Sequence, residues 1–269
     1  MSLENKIANW VDLGIMHYSE AMNIQDRLIE LRGRNLIADT ILAVRHPLTV
    51  SFGADEKNNQ FSDLFLAKVA GEYGDISHSS LQDYLLRRGI PFVKSFRGGG
   101  ATVFAPGQFV FYPIVNHTEI TGSHELDVGA YKNKIYFALF DSLKNMGVDG
   151  INMGSQESFQ TRAERRDVWL NRGGITYKMG SKGIGIKGKV AYNGFAINVD
   201  KDGISDSWIV NQCGYRPEEV KLWTVEHEIG RPVAPSNVYA AVQKAVSNNF
   251  GYSGFNYSST GQLEVAHAS

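Results

Sequence analysis

Apolar positions along the chain recur with two different periods, and the switches between them sketch a mixed architecture. From residue 17 to 32, HYSEAMNIQDRLIELR places Met22, Ile24, Leu28 and Leu31 at helical spacing, which predicts an amphipathic helix. ILAV at 41–44 reads as a buried strand, and HPLTVSFG at 46–53 as a turn followed by another strand. SSLQDYLLRRG at 79–89 predicts a short helix closed by Gly89. QFVFYPIVN at 108–116 is rich in aromatic and β-branched residues and predicts a strand. The longest helical pattern covers 125–146, short strands follow around 168–170, 174–180, 182–186 and 190–200, and 236–250 predicts the last helix. No repeat and no Pro/Ser-rich linker divides the sequence. Strands mixed with outer helices imply an α+β fold, a mixed β-sheet with flanking helices. The expected organisation is one domain over residues 1–255 and a loosely ordered polar tail over 256–269.

Composition narrows the class. The 269 residues are 43% apolar, enough for a well-buried core. The net charge of -1 excludes a nucleic-acid clamp. Charge is nevertheless uneven: Arg162, Arg165, Arg166, Arg172, Lys178, Lys182, Lys187 and Lys189 face only Glu164 and Asp167 in that stretch. Such a run is either a solvated sheet edge or a surface that attracts an acidic partner. The single cysteine, Cys213, excludes an internal disulfide and any CxxC pair. The seven histidines show no metal-ligand spacing, so no metal or other cofactor is expected. The N-terminus lacks the basic start and apolar core of a signal peptide, and no apolar run is long enough to span a membrane. A cytoplasmic protein without a membrane or nucleic-acid partner is expected.

Three segments carry candidate chemistry. Arg97-Gly98-Gly99-Gly100-Ala101-Thr102-Val103-Phe104 precedes the 108–116 strand. Consecutive glycines expose backbone N–H groups and let a ligand approach closely, although a hairpin with a β-bulge would use the same run. No Lys-Ser/Thr follows, so this is not a phosphate P-loop. The second segment, YKMGSKGIGI at 177–186, places Lys178 among apolar and glycine neighbours, where desolvation would turn an amine into a useful base; a strand lysine can equally be solvated surface. In the third, Asn211-Gln212-Cys213-Gly214, a thiol before a glycine suits an exposed nucleophile or a small buried apolar residue.

In order and spacing the three segments resemble the lipoyl(octanoyl) transferases. That family's glycine segment reads approximately RGG-x-x-T-Y-H-G-P-G-Q, its lysine segment K-x-x-S-x-G followed by H-G-x-A-x-N, and its nucleophile segment N-P-C-G. Here they stand as RGGGATVFAPGQ, KMGSKG with NGFAIN, and NQCG. The likeness spans roughly residues 15 to 225. It implies a fold similar to the biotin and lipoate protein ligases, with Cys213 as acyl acceptor and Lys178 as its acid/base partner. It also implies an acyl pocket lined by Arg97, Gly98, Gly99, Gly100, Ala101, Thr102, Val103 and Phe104, by Ser181, Lys182 and Gly183, and by Gly194, Phe195 and Ala196. Phe104 and Asn193 stand where the family usually has histidine, and Gln212 where it has proline.

The activity implied is transfer of an octanoyl group from octanoyl-acyl carrier protein, through a cysteine thioester, to a lysine of a lipoyl domain. The implied acceptors are the lipoyl domains of 2-oxoacid dehydrogenases or the glycine cleavage H protein, and the basic run would steer such acidic partners. An ATP-dependent lipoate or biotin ligase on the same scaffold, which needs no cysteine, is the nearest alternative. A non-catalytic acyl-carrier-binding protein is the next.

Overall fold

The computed structural model describes residues 6–95, 97–152, 167–204, 208–211 and 221–265. The elements run β1 Ile7–Ile15, α1 Tyr18–Gly33, β2 Thr40–Arg45, β3 Thr49–Phe52, α2 Asp63–Tyr73, α3 His78–Arg87, β4 Phe92–Lys94, β5 Thr102–Phe104, β6 Gln108–Asn116 and α4 His117–Thr121. They continue as α5 Val128–Asn145, β7 Ile151–Asn152, β8 Val168–Arg172, β9 Ile175–Lys187, β10 Val190–Asn198, β11 Lys221–Leu222, α6 Val225–Ile229, α7 Pro235–Phe250, β12 Gly254–Tyr257 and α8 Thr260–Val265. Among the described residues, one large mixed sheet has the order β12-β1-β2-β6-β10-β9-β8-β7, with β11 beside β9, and a small sheet has the order β4-β3-β5. This is the α+β class that the periodicities imply.

β6 is buried at every position, as its unbroken apolar run requires of a strand covered on both faces. Its side chains alternate between two cores. Phe109, Phe111 and Val115 pack with α5 and α7 through Ile135, Leu139, Val242 and Val246. Val110, Tyr112 and Ile114 pack with α1 through Tyr18, Leu28 and Ile29. A third core joins the small sheet to α2 and α3 around Phe65, Val69, Leu85 and Val103. Serine caps start both helices, Ser62 accepting from Phe65 N and Ser77 from Ser80 N.

Three local readings change. β1 and α2 are elements that the hydrophobic pattern does not announce. β1 sits between β12 and β2, where its pairing partners lie far away in sequence. The strands expected at 174–180 and 182–186 are one continuous β9, because Ser181 stays in register opposite Ala196. The chain beyond 255 completes β12 beside β1 and continues as α8 to Val265.

Asp39, 2% exposed, ties the N-terminal half together. Its carboxylate accepts from Arg32 Nε at 2.8 Å, Asn116 N at 2.9 Å and the Tyr252 hydroxyl at 2.8 Å, with Lys6 Nζ at 3.0 Å. Removing one member of a buried ion pair leaves an uncompensated charge. Asp39→Ala is therefore expected to cost about 3–5 kcal/mol, read as a lowered midpoint in urea unfolding.

Candidate active site

Strands β6, β10 and β9 lie side by side and form the floor of a cavity of about 790 Å³. Register sets which side chains share the floor. Gln108 stands opposite Asn198, Val110 opposite Ala196, and Ala196 opposite Ser181 on β9. The same face then carries Tyr112, two residues on from Val110. Tyr18 of α1 and Phe104 of β5 close one side, and Val128, Gly129 and Lys132 at the start of α5 form part of another.

The glycine run lies over this floor, held by backbone rather than by side chains. Gly98 N donates to Ile184 O at 3.2 Å, Asp55 N to Gly99 O at 3.0 Å and Ala101 N to Asn58 O at 2.8 Å. A Cβ on Gly98 or Gly183 would come within 3.0–3.2 Å of the backbone of the other segment, so a side chain at either position would push the loop outward by a few tenths of an ångström. Arg97 donates to Ser51 O at 2.8 Å, which anchors the start of the run to β3.

A second constraint lies at Asn193–Gly194. Asn193 takes φ +57°, a left-handed conformation inside a strand. The register places it level with Pro113 of β6, which has no N–H to offer the ladder. Its own N–H instead donates to Gln25 Oε1 of α1 at 3.2 Å. A Cβ on Gly194 would overlap Phe111 O and Pro113 Cδ, so only glycine lets β10 lie against β6 here.

Lys178 is 1% exposed, and its Nζ lies 2.8 Å from Asp167 Oδ2, itself 2% exposed. The apolar setting expected for Lys178 is therefore wrong in one respect. A carboxylate faces the amine, and an opposite charge at this distance favours the ammonium form. Asp167 is on the cavity wall, with Lys178 one ion pair behind it. The backbone of Lys178 is also fixed, its carbonyl accepting from Trp223 N and from Asn198 Nδ2, both at 3.0 Å.

Of the residues expected to line an acyl pocket, Arg97, Gly98, Gly99, Gly100, Thr102, Phe104, Ser181, Lys182, Gly183, Gly194, Phe195 and Ala196 border the cavity. Ala101 and Val103 point elsewhere and pack in the third core, because alternate residues of a strand face opposite sides. Cys213 lies outside the described residues. The basic run is also less uniform than its charge count. Lys178 is buried on Asp167, Arg172 pairs with Glu228, and Lys182 Nζ lies over the Tyr136 ring at 4.4 Å, while Lys187 and Lys189 are exposed. Arg162, Arg165 and Arg166 lie outside the described residues.

Sequence reasoning passed over Tyr18, Gln25, His46, Tyr112 and Asp167 as site residues. Asp167 had one usable signal, an acidic residue at the head of a strand within a basic run. His46 is fully buried; its Nδ1 lies 2.8 Å from Met16 O and its Nε2 2.9 Å from the Tyr112 hydroxyl. A carbonyl can only accept, so Nδ1 carries the proton and Tyr112 donates to Nε2. Burial pushes the imidazole from 6.5 down to about 4, against the pull of the Met16 hydrogen bond and with a smaller push from His17.

Fold, cavity and buried ion pair together describe a protein with a mainly apolar cavity beneath a glycine loop. The chain belongs to the lipoyl protein ligase A/B catalytic domain family, whose model matches residues 17–246. It is 28% identical over 244 residues to the octanoyltransferase of Desulforamulus reducens, covering 89% of this chain and 90% of that protein. It is 30% identical over 231 residues to the octanoyltransferase of Chloroflexus aurantiacus J-10-fl, covering 84% and 86%. In fold it is similar to a lipoate-protein ligase A bound with ATP, with a TM-score of 0.66, 16% identity and coverage of 97% and 95%. The bipartite lipoate protein ligase of Thermoplasma acidophilum is similar too, at a TM-score of 0.64, 16% identity and coverage of 97% and 93%.

Two predictions concern residues around the cavity. The unfolded chain protonates His46 near pH 6.5 and the folded chain only near 4, so acidification through that window favours unfolding. This contribution is complete above pH 6.5 and shrinks by about 3 kcal/mol on reaching pH 4. Thermal melts across that range are expected to show a steeper loss in the parent than in His46→Gln. Gly194→Ala is expected to destabilise by about 1–3 kcal/mol, since the added methyl forces β6 and β10 apart.

Proposed function

We propose that this protein is an octanoyltransferase of protein lipoylation. It takes an octanoyl group from a carrier-protein thioester and passes it to a lysine of a lipoyl domain. The observation that carries the reading is the cavity beneath the glycine run, with Asp167 on its wall and Lys178 paired behind it. Octanoyltransferases at 28–30% identity over most of the chain support the choice of acyl group and reaction. The expected 1–255 domain, extended to include the whole of β12, acts as one catalytic unit in the cytoplasm. No helix among the described residues is long and apolar enough to cross a membrane.

Cys213 is the nucleophile, and its Sγ as thiolate attacks the thioester carbonyl. The Lys178 ammonium stabilises the thiolate and supplies a proton to the departing carrier thiol. In the second half, the amine of the acceptor lysine attacks the Cys213 thioester, the C–S bond breaks, and the proton shed by the new amide returns to the Cys213–Lys178 pair. Asp167 holds Lys178 in place, and its negative charge favours return of the proton to the lysine at the end of the second half. Exchange of one thioester for another is nearly balanced, and amide formation drives the sequence forward.

Octanoyl-acyl carrier protein is the donor, and lipoyl domains of 2-oxoacid dehydrogenases or of the glycine cleavage H protein are the acceptors. The exposed Lys187 and Lys189 add to a surface that favours such acidic domains.

Incubation with octanoyl-loaded carrier protein without ATP, followed by intact mass spectrometry, is expected to show one octanoyl adduct on the parent and none on Cys213→Ala. An ATP-dependent ligase would instead work undiminished in Cys213→Ala once ATP and free octanoate are added. Lys178→Ala is expected to slow acylation by about 10²–10⁴-fold, and parental rates in that variant would remove Lys178 from the mechanism. Asp167→Asn is expected to fall between the parent and Lys178→Ala, with its pH–rate profile displaced, because the lysine keeps its place but loses its counter-charge.

A further inference from the structure

Register lines up rows of side chains across β9, β10 and β6, and one row offers an apolar lane through the cavity floor. On one flank Gln108 faces Asn198, and both amides are satisfied within the protein. Gln108 Nε2 donates to Asn198 Oδ1 at 2.9 Å, and Asn198 Nδ2 donates to Lys178 O at 3.0 Å. On the other flank Gly183 faces Gly194, and the glycine run seals the β9 end, with Gly98 N on Ile184 O. The row between them is Ser181, Ala196 and Val110, and all three border the cavity. Ala196 sits inside a strand paired on both sides, yet it keeps more exposure than the buried residues around it. Its backbone faces β6 and β9, and a methyl is its whole side chain, so it is the methyl that meets the open space.

The two ends of this row differ in polarity. Val168 pairs with Gly180, so Asp167, one residue earlier, continues the row beside Ser181, with Lys178 behind it. At the far end Val110 shares a core with Tyr18, Phe104 and Tyr112, which also border the cavity. An acyl thioester has the same asymmetry, a polar carbonyl head and an apolar tail. The tail gains by lying against the rings and would desolvate the carboxylate at the other end. Length agrees. Strands lie about 4.8 Å apart, so Ser181 to Val110 spans about 10 Å. An extended octanoyl chain, with bonds of about 1.5 Å meeting at about 111°, reaches about 9 Å. We infer that the acyl chain crosses the strands along this row, tail towards Val110, and that the small side chain of Ala196 beneath its middle sets how long a chain is accepted. This deepens the octanoyl-transfer reading and rests on it.

Ala196→Leu puts a branched side chain into the lane, and Ala196→Val is the smaller step. Both are compared with the parent on carrier protein loaded with butanoyl, hexanoyl, octanoyl or decanoyl groups. In Ala196→Leu, kcat/KM for octanoyl is expected to fall about 10–100-fold relative to that for butanoyl, with Ala196→Val in between. A chain-length profile like the parent's, or a loss equal for every donor, would overturn the inference. If Ala196→Leu does not fold, Ala196→Val decides by the same criterion. A second readout needs no turnover. Calorimetry follows acyl-pantetheine analogues of the same chain lengths in which CH2 replaces the sulfur. The parent is expected to bind more tightly with each added carbon up to octanoyl, and Ala196→Leu to stop gaining at a shorter chain. If the parent transfers no acyl group, the octanoyl-transfer reading falls, while the calorimetric series still decides the role of Ala196. Equal gains per carbon in the two proteins count against it.

Discussion

Two charges buried beside each other, Lys178 and Asp167, set the terms for the surrounding structure. Neither exposes more than 2% of its surface, and an isolated ion at such depth would be strongly disfavoured. Their 2.8 Å contact makes both tolerable and ties the head of β8 to the middle of β9. The Lys178 carbonyl adds a link to Trp223 before α6 and another to Asn198 on β10. The lysine is thus fixed along its backbone and at its tip. In the proposed mechanism it gives up and regains a proton once per cycle, and that rigidity would leave little reorganisation for the reaction itself.

Around this pair the cavity is shaped by close backbone approach. Gly98 lies tight against β9, and at Gly194 any side chain would force β10 away from β6. Between them Asn193 holds a left-handed turn, stabilised by Gln25 and permitted because Pro113 makes no demand on the ladder. Strain of this sort persists only where neighbours over-determine the conformation. Here α1 supplies the neighbour, and the same helix carries Tyr18 to the opposite wall.

Similarity in fold to lipoate ligases, one of them bound with ATP, shows that the sheet and its flanking helices are shared with proteins of that name. A ligase must house an activated adenylate, whereas a transferase receives a thioester that is already reactive. The difference therefore falls on what stands next to the carbonyl carbon rather than on the sheet. In the proposed mechanism Cys213 and Lys178 take that place, while Tyr18, Phe104 and Tyr112 line the cavity and His46 packs against all three rings.

Local chemistry was enough to mark α1, β6, α5, β10 and α7, because each carries a period long enough to be read against its neighbours. Glycines at 98, 183 and 194 and the basic residue at 178 were also visible, since glycine clusters and an isolated lysine in an apolar strand are unusual on their own. The partners that give these residues meaning were not visible. Asp167 meets Lys178 only because β8 and β9 pair around a register shift. Tyr18 reaches the cavity, and Gln25 reaches the Asn193 N–H, only because α1 packs across β6 and β10, far along the chain. Ala101 and Val103 belonged to the same glycine-led segment, and the alternation of β5 turned them away into another core. A sequence states which groups are available and with what local period. Which groups meet is decided by contacts between distant segments, whose closure entropy is repaid only in the assembled core.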